Sequence, residues 1–194
     1  MKFNILTFGC KVNQYESNMM KEKMLSSCFL FEENLDKADI IIVNTCSVTN
    51  VADKKCLKTI RKIKREYPEK VLAITGCSSQ NKQEIYEKLD ADILIGNKDK
   101  SKIADYIKEF LQTEKHVIKF YNERNLEFED MMINNYNHVR AFIKIEDGCD
   151  NFCSYCIIPF VRGSVRSKKF AEVINEAKIL AEKNHKEIVL TGIH

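Results

Sequence analysis

What this chain lacks bounds it first. No apolar run approaches the roughly 18–20 residues needed to cross a bilayer. The opening Met1-Lys2-Phe3-Asn4-Ile5-Leu6 has neither the apolar core nor the small-residue cleavage site of a secretory signal. Charge of one sign is scarce: 31 Lys and Arg against 28 Asp and Glu leave a net +3. That permits an RNA partner without demanding one, since chains devoted to phosphate contacts are usually more basic. Prolines number two and histidines four. The remaining composition, 44% hydrophobic and 30% charged over 194 residues, is that of a soluble globular protein of one or two domains. A cytoplasmic chain with no membrane partner is the expectation. There its eight cysteines read as metal or redox ligands rather than a disulfide framework.

The first hundred residues alternate β-like and helix-like stretches. Strand-like runs are Lys2 to Phe8, Asp39 to Asn44, Lys70 to Thr75 and Asp92 to Gly96. Helices are expected over about Tyr15 to Ser26, Val51 to Glu66, Lys82 to Leu89 and Ser101 to Gln112, the second closed by Tyr67-Pro68. Short apolar strands alternating with helices predict an α/β fold, an open parallel sheet with helices on its faces. Right-handed connections would make it doubly wound. Residues 113–137 form a polar, acidic connector with Asn122-Glu123-Arg124-Asn125 and Asn134-Asn135-Tyr136-Asn137, with little core-forming material except Val117 to Tyr121, a candidate strand. A second βα pattern starts at His138: a strand over Arg140 to Glu146, a helix over about Ala171 to Lys183 and a strand over Glu187 to Thr191. The expected domains are therefore 1–112 and 138–194, joined by 113–137.

Six of the cysteines fall into two sets. In Gly148-Cys149-Asp150-Asn151-Phe152-Cys153-Ser154-Tyr155-Cys156, one short loop offers three thiolates to a single centre. A closed zinc or electron-transfer site normally wants four protein ligands, and three leave a position open for a small molecule. A three-cysteine zinc knuckle completed by His138, or buried thiols, are the plainer alternatives. Cys10, Cys46 and Cys77 each follow a predicted strand, spaced by about one strand–helix unit. In open α/β sheets ligands bind at that edge, so three neighbouring strands would bring three thiolates together. Buried thiols at strand ends are again the alternative. Cys28 and Cys56 read as ordinary structural residues.

The cysteine spacing and the aromatic Tyr155 before the last cysteine resemble the signature of radical S-adenosylmethionine enzymes. The flanks His138-Val139-Arg140-Ala141-Phe142-Ile143-Lys144-Ile145 and Ile157-Ile158-Pro159-Phe160-Val161-Arg162-Gly163-Ser164-Val165-Arg166-Ser167 resemble the methylthiotransferase family. So do Thr7-Phe8-Gly9-Cys10-Lys11-Val12-Asn13-Gln14-Tyr15-Glu16, Val43-Asn44-Thr45-Cys46 and Ile74-Thr75-Gly76-Cys77. The resemblance implies two 4Fe-4S clusters. One, on Cys149, Cys153 and Cys156, would bind S-adenosylmethionine at its open iron and release a 5′-deoxyadenosyl radical, with electrons from a donor protein. The other, on Cys10, Cys46 and Cys77, would hold or deliver the sulfur of the methylthio group. Backbone around Tyr155 would position the adenine, and Thr191-Gly192-Ile193-His194 would begin the cosubstrate contacts through Gly192. Arg162 would either orient substrate or cosubstrate or make a structural ion pair.

By the same resemblance, the second domain is the start of a radical SAM partial (βα) barrel. The chain is then an N-terminal fragment of a longer enzyme, inactive alone. The motif from Thr7 to Gln14 most resembles the branch that modifies carbon 2 of N6-threonylcarbamoyladenosine beside the anticodon of tRNA. Isopentenyladenosine in tRNA or a ribosomal protein are the alternative substrates. A helical stripe of Lys54, Lys58, Arg61, Lys62 and Arg65 could contact phosphates of the anticodon stem-loop, or could be only a solvated face. A function of another class, a non-catalytic iron–sulfur or zinc module sensing redox state, would bind metal without cleaving S-adenosylmethionine.

Overall fold

The computed structural model describes residues 1–47, 50–122, 124, 126–129, 131–134, 136 and 140–193, with the side chain of residue 50 left aside. His138, proposed above as a fourth zinc ligand, lies outside the described residues. So do Val139, Asn137, Asn135, Glu123, Asn125 and His194 of the quoted motifs.

Six strands build the first sheet: β1 (Lys2–Thr7), β2 (Leu30–Phe31), β3 (Ile40–Thr45), β4 (Val71–Gly76), β5 (Ile93–Ile95) and β6 (Val117–Lys119). They lie in the order β2-β1-β3-β4-β5-β6 and every pair is parallel. This is the expected open α/β sheet, with two strands more than the four apolar runs. β2 has two residues, too few for a period to register. β6 comes from the start of the polar connector, so part of 113–137 completes the first sheet.

Strand alternation distributes the core to both faces. Ile40 and Ile42 pack with Tyr15, Met19, Met20 and Met24 of helix α1 (Lys11–Ser26) and with Ile103 and Ile107 of α5 (Ile103–Thr113). Ile41 and Val43 pack on the other face with Cys56, Ile60 and Ile63 of α2 (Asn50–Glu66) and Tyr86 of α4 (Gln83–Glu87). The sheet is therefore doubly wound. One connection departs from the expected handedness. α5 shares a face with α1, yet β5 to β6 crosses the sheet in the opposite direction from β1 to β2. That crossover is left-handed, the minority hand.

Helices also begin earlier than the apolar periodicity suggested. α1 starts at Lys11, directly after Cys10, and α3 (Cys77–Asn81) begins on Cys77 itself. The helix expected over Lys82 to Leu89 is α4, and α3 precedes it, separated at Lys82.

The second sheet has the order β8-β7-β9. β7 (Arg140–Asp147) and β9 (Glu187–Gly192) are parallel and joined by α7 (Phe170–Glu182), one βαβ unit. The loop after β7 carries the second cysteine set, then a single turn, α6 (Ile158–Val161), and the short antiparallel β8 (Arg166–Ser167). α1 lies between the two sheets, because Ala141, Ile143, Met131, Ile133 and Leu180 join its core. A polar link crosses the same boundary: Tyr15 Oη donates to Met131 O at 2.9 Å and Glu176 Oε1 at 3.0 Å, and Lys168 pairs with Glu176. Among the described residues no helix is long and apolar enough to cross a membrane.

Candidate functional site

The reversal in strand order falls between β1 and β3, and such a switch point opens a crevice at the carboxyl ends of the strands. Cys10 follows β1, Cys46 follows β3 and Cys77 follows β4. The registers Thr7 opposite Asn44 and Thr45 opposite Gly76 keep those ends level. Gly9 (φ +102°) lets the chain pass directly over Cys46: a Cβ there would stand 2.5 Å from the Cys46 Sγ. Gly76 (φ +116°) turns the chain against the Thr45 backbone, where a Cβ would overlap main-chain atoms. These glycines allow the cysteine-bearing ends to approach closely.

The rim is tied by side-chain amides. Asn13 donates through Nδ2 to Phe8 O at 2.8 Å and Thr45 O at 2.9 Å, the carbonyls just upstream of Gly9-Cys10 and of Cys46. Asn44 Nδ2 donates to Asn13 O at 3.0 Å. Ser79 N donates to Thr45 Oγ1 at 3.1 Å, and its Oγ lies 2.9 Å from both Gly76 O and Ile95 O, seating α3 on the sheet edge. Cys46 and Cys77 are each only 2% exposed, Cys10 is half-buried, and all the described cysteines are free thiols. Cys56 is a core residue of α2 whose thiol pKa burial pushes up to about 12; Cys28 is exposed.

The second set sits on a loop of different character. Cys149 is buried, Cys156 half-buried and Cys153 exposed. Gly148 (φ +83°) packs against the Ser164 carbonyl, and Cys149 N donates to Gly163 O at 3.0 Å, so one end of the loop is anchored. Cys156 N donates to Cys153 O at 2.9 Å, a turn that holds the last two cysteines together. Phe152 meets Phe160 edge to face at 5.8 Å, with the Arg124 guanidinium 4.4 Å from its ring centroid and bonded to Asp150 at 2.9 Å. Tyr155 is 90% exposed at the loop tip. Gly192 ends β9 opposite Glu146, where a Cβ would stand 3.0 Å from the Glu146 Cβ.

Between the two sets lies a group that the sequence reading did not single out apart from Arg162. Glu16 of α1 is wholly buried with Lys100, Lys144 and Arg162 around it. Lys144 Nζ is 2.7 Å from Glu16 and 2.6 Å from Asp147; Arg162 Nη1 is 2.9 Å from Glu16 and 3.0 Å from Asp147. Burial alone would raise both carboxyl pKa values, but the surrounding cations, Arg162 foremost, hold both below the ordinary carboxylate range. Of the two roles open to Arg162, the structure gives it the ion pair. A signal was present in the sequence: Glu16 lies on the helical stripe of Val12, Met19 and Met20, where a charge must be buried.

Do these donors fit iron–sulfur clusters? Among the described residues no three His, Cys, Asp or Glu side chains converge closely enough to cage one metal ion. A zinc site asks for all its sulfurs about 2.3 Å from one centre, whereas a four-iron cluster takes each thiolate on a separate iron and so asks for a wider set. Three thiols at level strand ends, and three more in one loop, are the residue type such a cluster takes.

Residues 2–96 match the family described as Uncharacterized protein family UPF0004. The chain is also similar, over nearly all its length, to named enzymes. It is 34% identical to the threonylcarbamoyladenosine tRNA methylthiotransferase MtaB of Aquifex aeolicus, across 99% of the chain and 48% of that protein. It is 37% identical to MtaB of Bacillus subtilis, across 97% of the chain and 42% of that protein. It is 33% identical to the tRNA-2-methylthio-N(6)-dimethylallyladenosine synthase of Clostridium novyi, across 98% and 44%. The chain carries the UPF0004 domain of the methylthiotransferase family and belongs with these proteins. It spans less than half the length of the curated relatives it matches.

Proposed function

We propose that this chain is part of a tRNA methylthiotransferase that works by radical S-adenosylmethionine chemistry. The observation that carries the reading is that Cys10, Cys46 and Cys77 each follow one of three adjacent parallel strands whose carboxyl ends are level at the switch point. The relatives' names give the reaction class. Cys10, Cys46 and Cys77 would hold one 4Fe-4S cluster, and Cys149, Cys153 and Cys156 the other. Bound clusters and S-adenosylmethionine would supply one-electron cleavage and sulfur-transfer chemistry.

The chain's own residues do the rest. Gly9 and Gly76 admit close approach of the strand ends, and the burial of Cys46 and Cys77 keeps water from that rim. The exposed Cys153–Tyr155 tip leaves the second loop open to a cosubstrate and to a reductant protein, with backbone near Tyr155 and Gly192 contributing to cosubstrate binding. RNA would be met by α2. There Lys54, Lys58, Arg61, Lys62 and Arg65 flank Leu57 along one shallow groove, and among the described residues Lys54, Lys58 and Arg61 make no ion pair. We assign the substrate to the N6-threonylcarbamoyladenosine branch on the motif Thr7 to Gln14. The second reading, dimethylallyladenosine, is favoured by relatives of that name at nearly equal identity.

The test is anaerobic iron–sulfur reconstitution, with iron and sulfide counted in the wild type and in two triple alanine variants. About eight irons falling to about four in each variant is the expected result. Zinc, or iron unchanged by removal of Cys10, Cys46 and Cys77, would overturn it. A chain that binds clusters but, within its full-length enzyme, never cleaves S-adenosylmethionine would be a redox module instead.

A further inference from the structure

Two asparagines connect the strand-end thiols to buried cations. Asn13 Oδ1 lies 3.9 Å from the Cys10 thiol and accepts from Arg162 Nη2 at 2.8 Å. Asn97 Oδ1 lies 3.7 Å from the Cys77 thiol and accepts from Lys100 Nζ at 3.0 Å. Asn97 Nδ2 in turn donates to Val161 O at 2.7 Å, on the residue before Arg162. The turn that leaves the second cysteine loop is thus fastened to the first cysteine set at two points.

Among the described residues behind the asparagines the charges do not balance. Glu16 and Asp147 are paired with Lys100, Lys144, Arg162 and Arg166, two carboxylates facing four cations. The nearby Glu129 bonds the Ser101 amide and hydroxyl, and burial raises its pKa; ionised, it would still leave a cationic excess. Asp99 is taken by Tyr106, Tyr121 and Lys102. Among the described residues, the Nε atoms of Arg162 and Arg166 are buried without a hydrogen-bond partner. Uncompensated charge in the interior is costly, so an excess of this kind calls for a negative neighbour. Three thiolates carrying a four-iron cluster are net negative, and more so when reduced. Arg162 already feels this position: burial would lower its pKa, but Asp147 and then the Cys77 sulfur raise it.

We propose that Arg162 is the positioning residue that couples the two cysteine sets. Through Asn13, and with Lys100 acting through Asn97, it stabilises an anionic cluster on Cys10, Cys46 and Cys77 and fixes the second cysteine loop against it. The proposal rests on the reading that the strand-end cysteines hold a cluster.

The experiment is a redox titration of the reconstituted chain, followed by electron paramagnetic resonance. Alanines at Cys149, Cys153 and Cys156 isolate the strand-end cluster, and alanines at Cys10, Cys46 and Cys77 isolate the other. Arg162→Met should make the strand-end cluster about tenfold harder to reduce at a given potential, about 59 mV for one electron. The other cluster should move much less, and Arg162→Lys should recover most of the change. Asn13→Asp, nearly isosteric and adding a negative charge beside Cys10, should shift the strand-end cluster in the same direction; it keeps the test alive if Arg162→Met fails to fold. An unmoved strand-end potential in either variant, or equal shifts in both clusters, would reduce Arg162 to a structural ion pair. Absence of any strand-end cluster in the wild type would instead remove the underlying reading.

Discussion

The two cysteine sets are built by opposite means. Cys10, Cys46 and Cys77 come from distant parts of the chain and share one sheet edge because three parallel strands end level, with two of the thiols sealed from solvent. Cys149, Cys153 and Cys156 come from a single loop, anchored at Gly148 and Cys149 and exposed at Cys153 and Tyr155. The first set is only as good as the sheet beneath it, and its geometry is lost if a strand end shifts. The second needs little beyond its own turn. Glu16, Asp147, Lys144, Lys100 and Arg162 join these unlike sites into one rigid interior.

The largest effect should come from breaking that joint. Glu16→Ala leaves Lys100, Lys144 and Arg162 without their shared partner and should cost about 3–5 kcal/mol, read from urea unfolding of the metal-free chain. Gly76→Ala should cost about 2–4 kcal/mol by forcing a side chain into positive φ against the Thr45 backbone, and should remove iron from the strand-end set while sparing the loop set. Equal iron loss from both sets would mean that the loop is less independent than its structure implies.

Acid should distinguish the interior from the surface. Glu16 and Asp147 have depressed pKa values, so their contribution is complete above the ordinary carboxylate range near about pH 4. It is lost as pH falls through the lower, folded-state values. Urea midpoints measured from about pH 6 downward should therefore hold to about pH 4 and then drop steeply, and Glu16→Gln should flatten the drop.

Smaller effects sharpen the contrast between the sets. Cys46→Ser, burying a hydroxyl in place of a thiol, should cost about 1–3 kcal/mol, whereas Cys153→Ser should leave the metal-free chain's stability unchanged. Alkylation of the native metal-free chain should correspondingly reach Cys153 and Cys28 long before Cys46, Cys56 or Cys77. Least of all, Lys58→Glu with Arg61→Glu should leave folding untouched. On the proposed function the pair should weaken tRNA binding and lower its salt dependence; an unchanged salt slope would return the α2 stripe to a solvated face.

Much of this was legible from residue order. Ile40-Ile41-Ile42-Val43 is apolar throughout because both its faces are covered, and that pattern reads directly as a central parallel strand. The strand-end cysteines and the loop cysteines were both visible as spacings. The short pieces differed: Leu30–Phe31 is below the length at which periodicity shows, whereas Val117–Lys119 falls in the candidate strand Val117 to Tyr121, set off by the polar residues around it. Starting points of helices were misplaced where the cysteine itself begins the turn, as at Cys77. The left-handed β5–β6 crossover was also unreadable, since handedness depends on which face α5 finds room to cover.

The sequence by itself determined the alternation of strands and helices, the strand-end and loop placement of six cysteines, and the glycines at Gly9, Gly76 and Gly148 beside them. These are local matters of side-chain type, chain stiffness and allowed φ. Only the tertiary structure decided which charges go inside. Lys100, Lys144 and Arg162 look like surface residues singly, and each would be too costly to bury alone. They become interior residues because folding brings opposite charges from both halves of the chain within hydrogen-bonding distance.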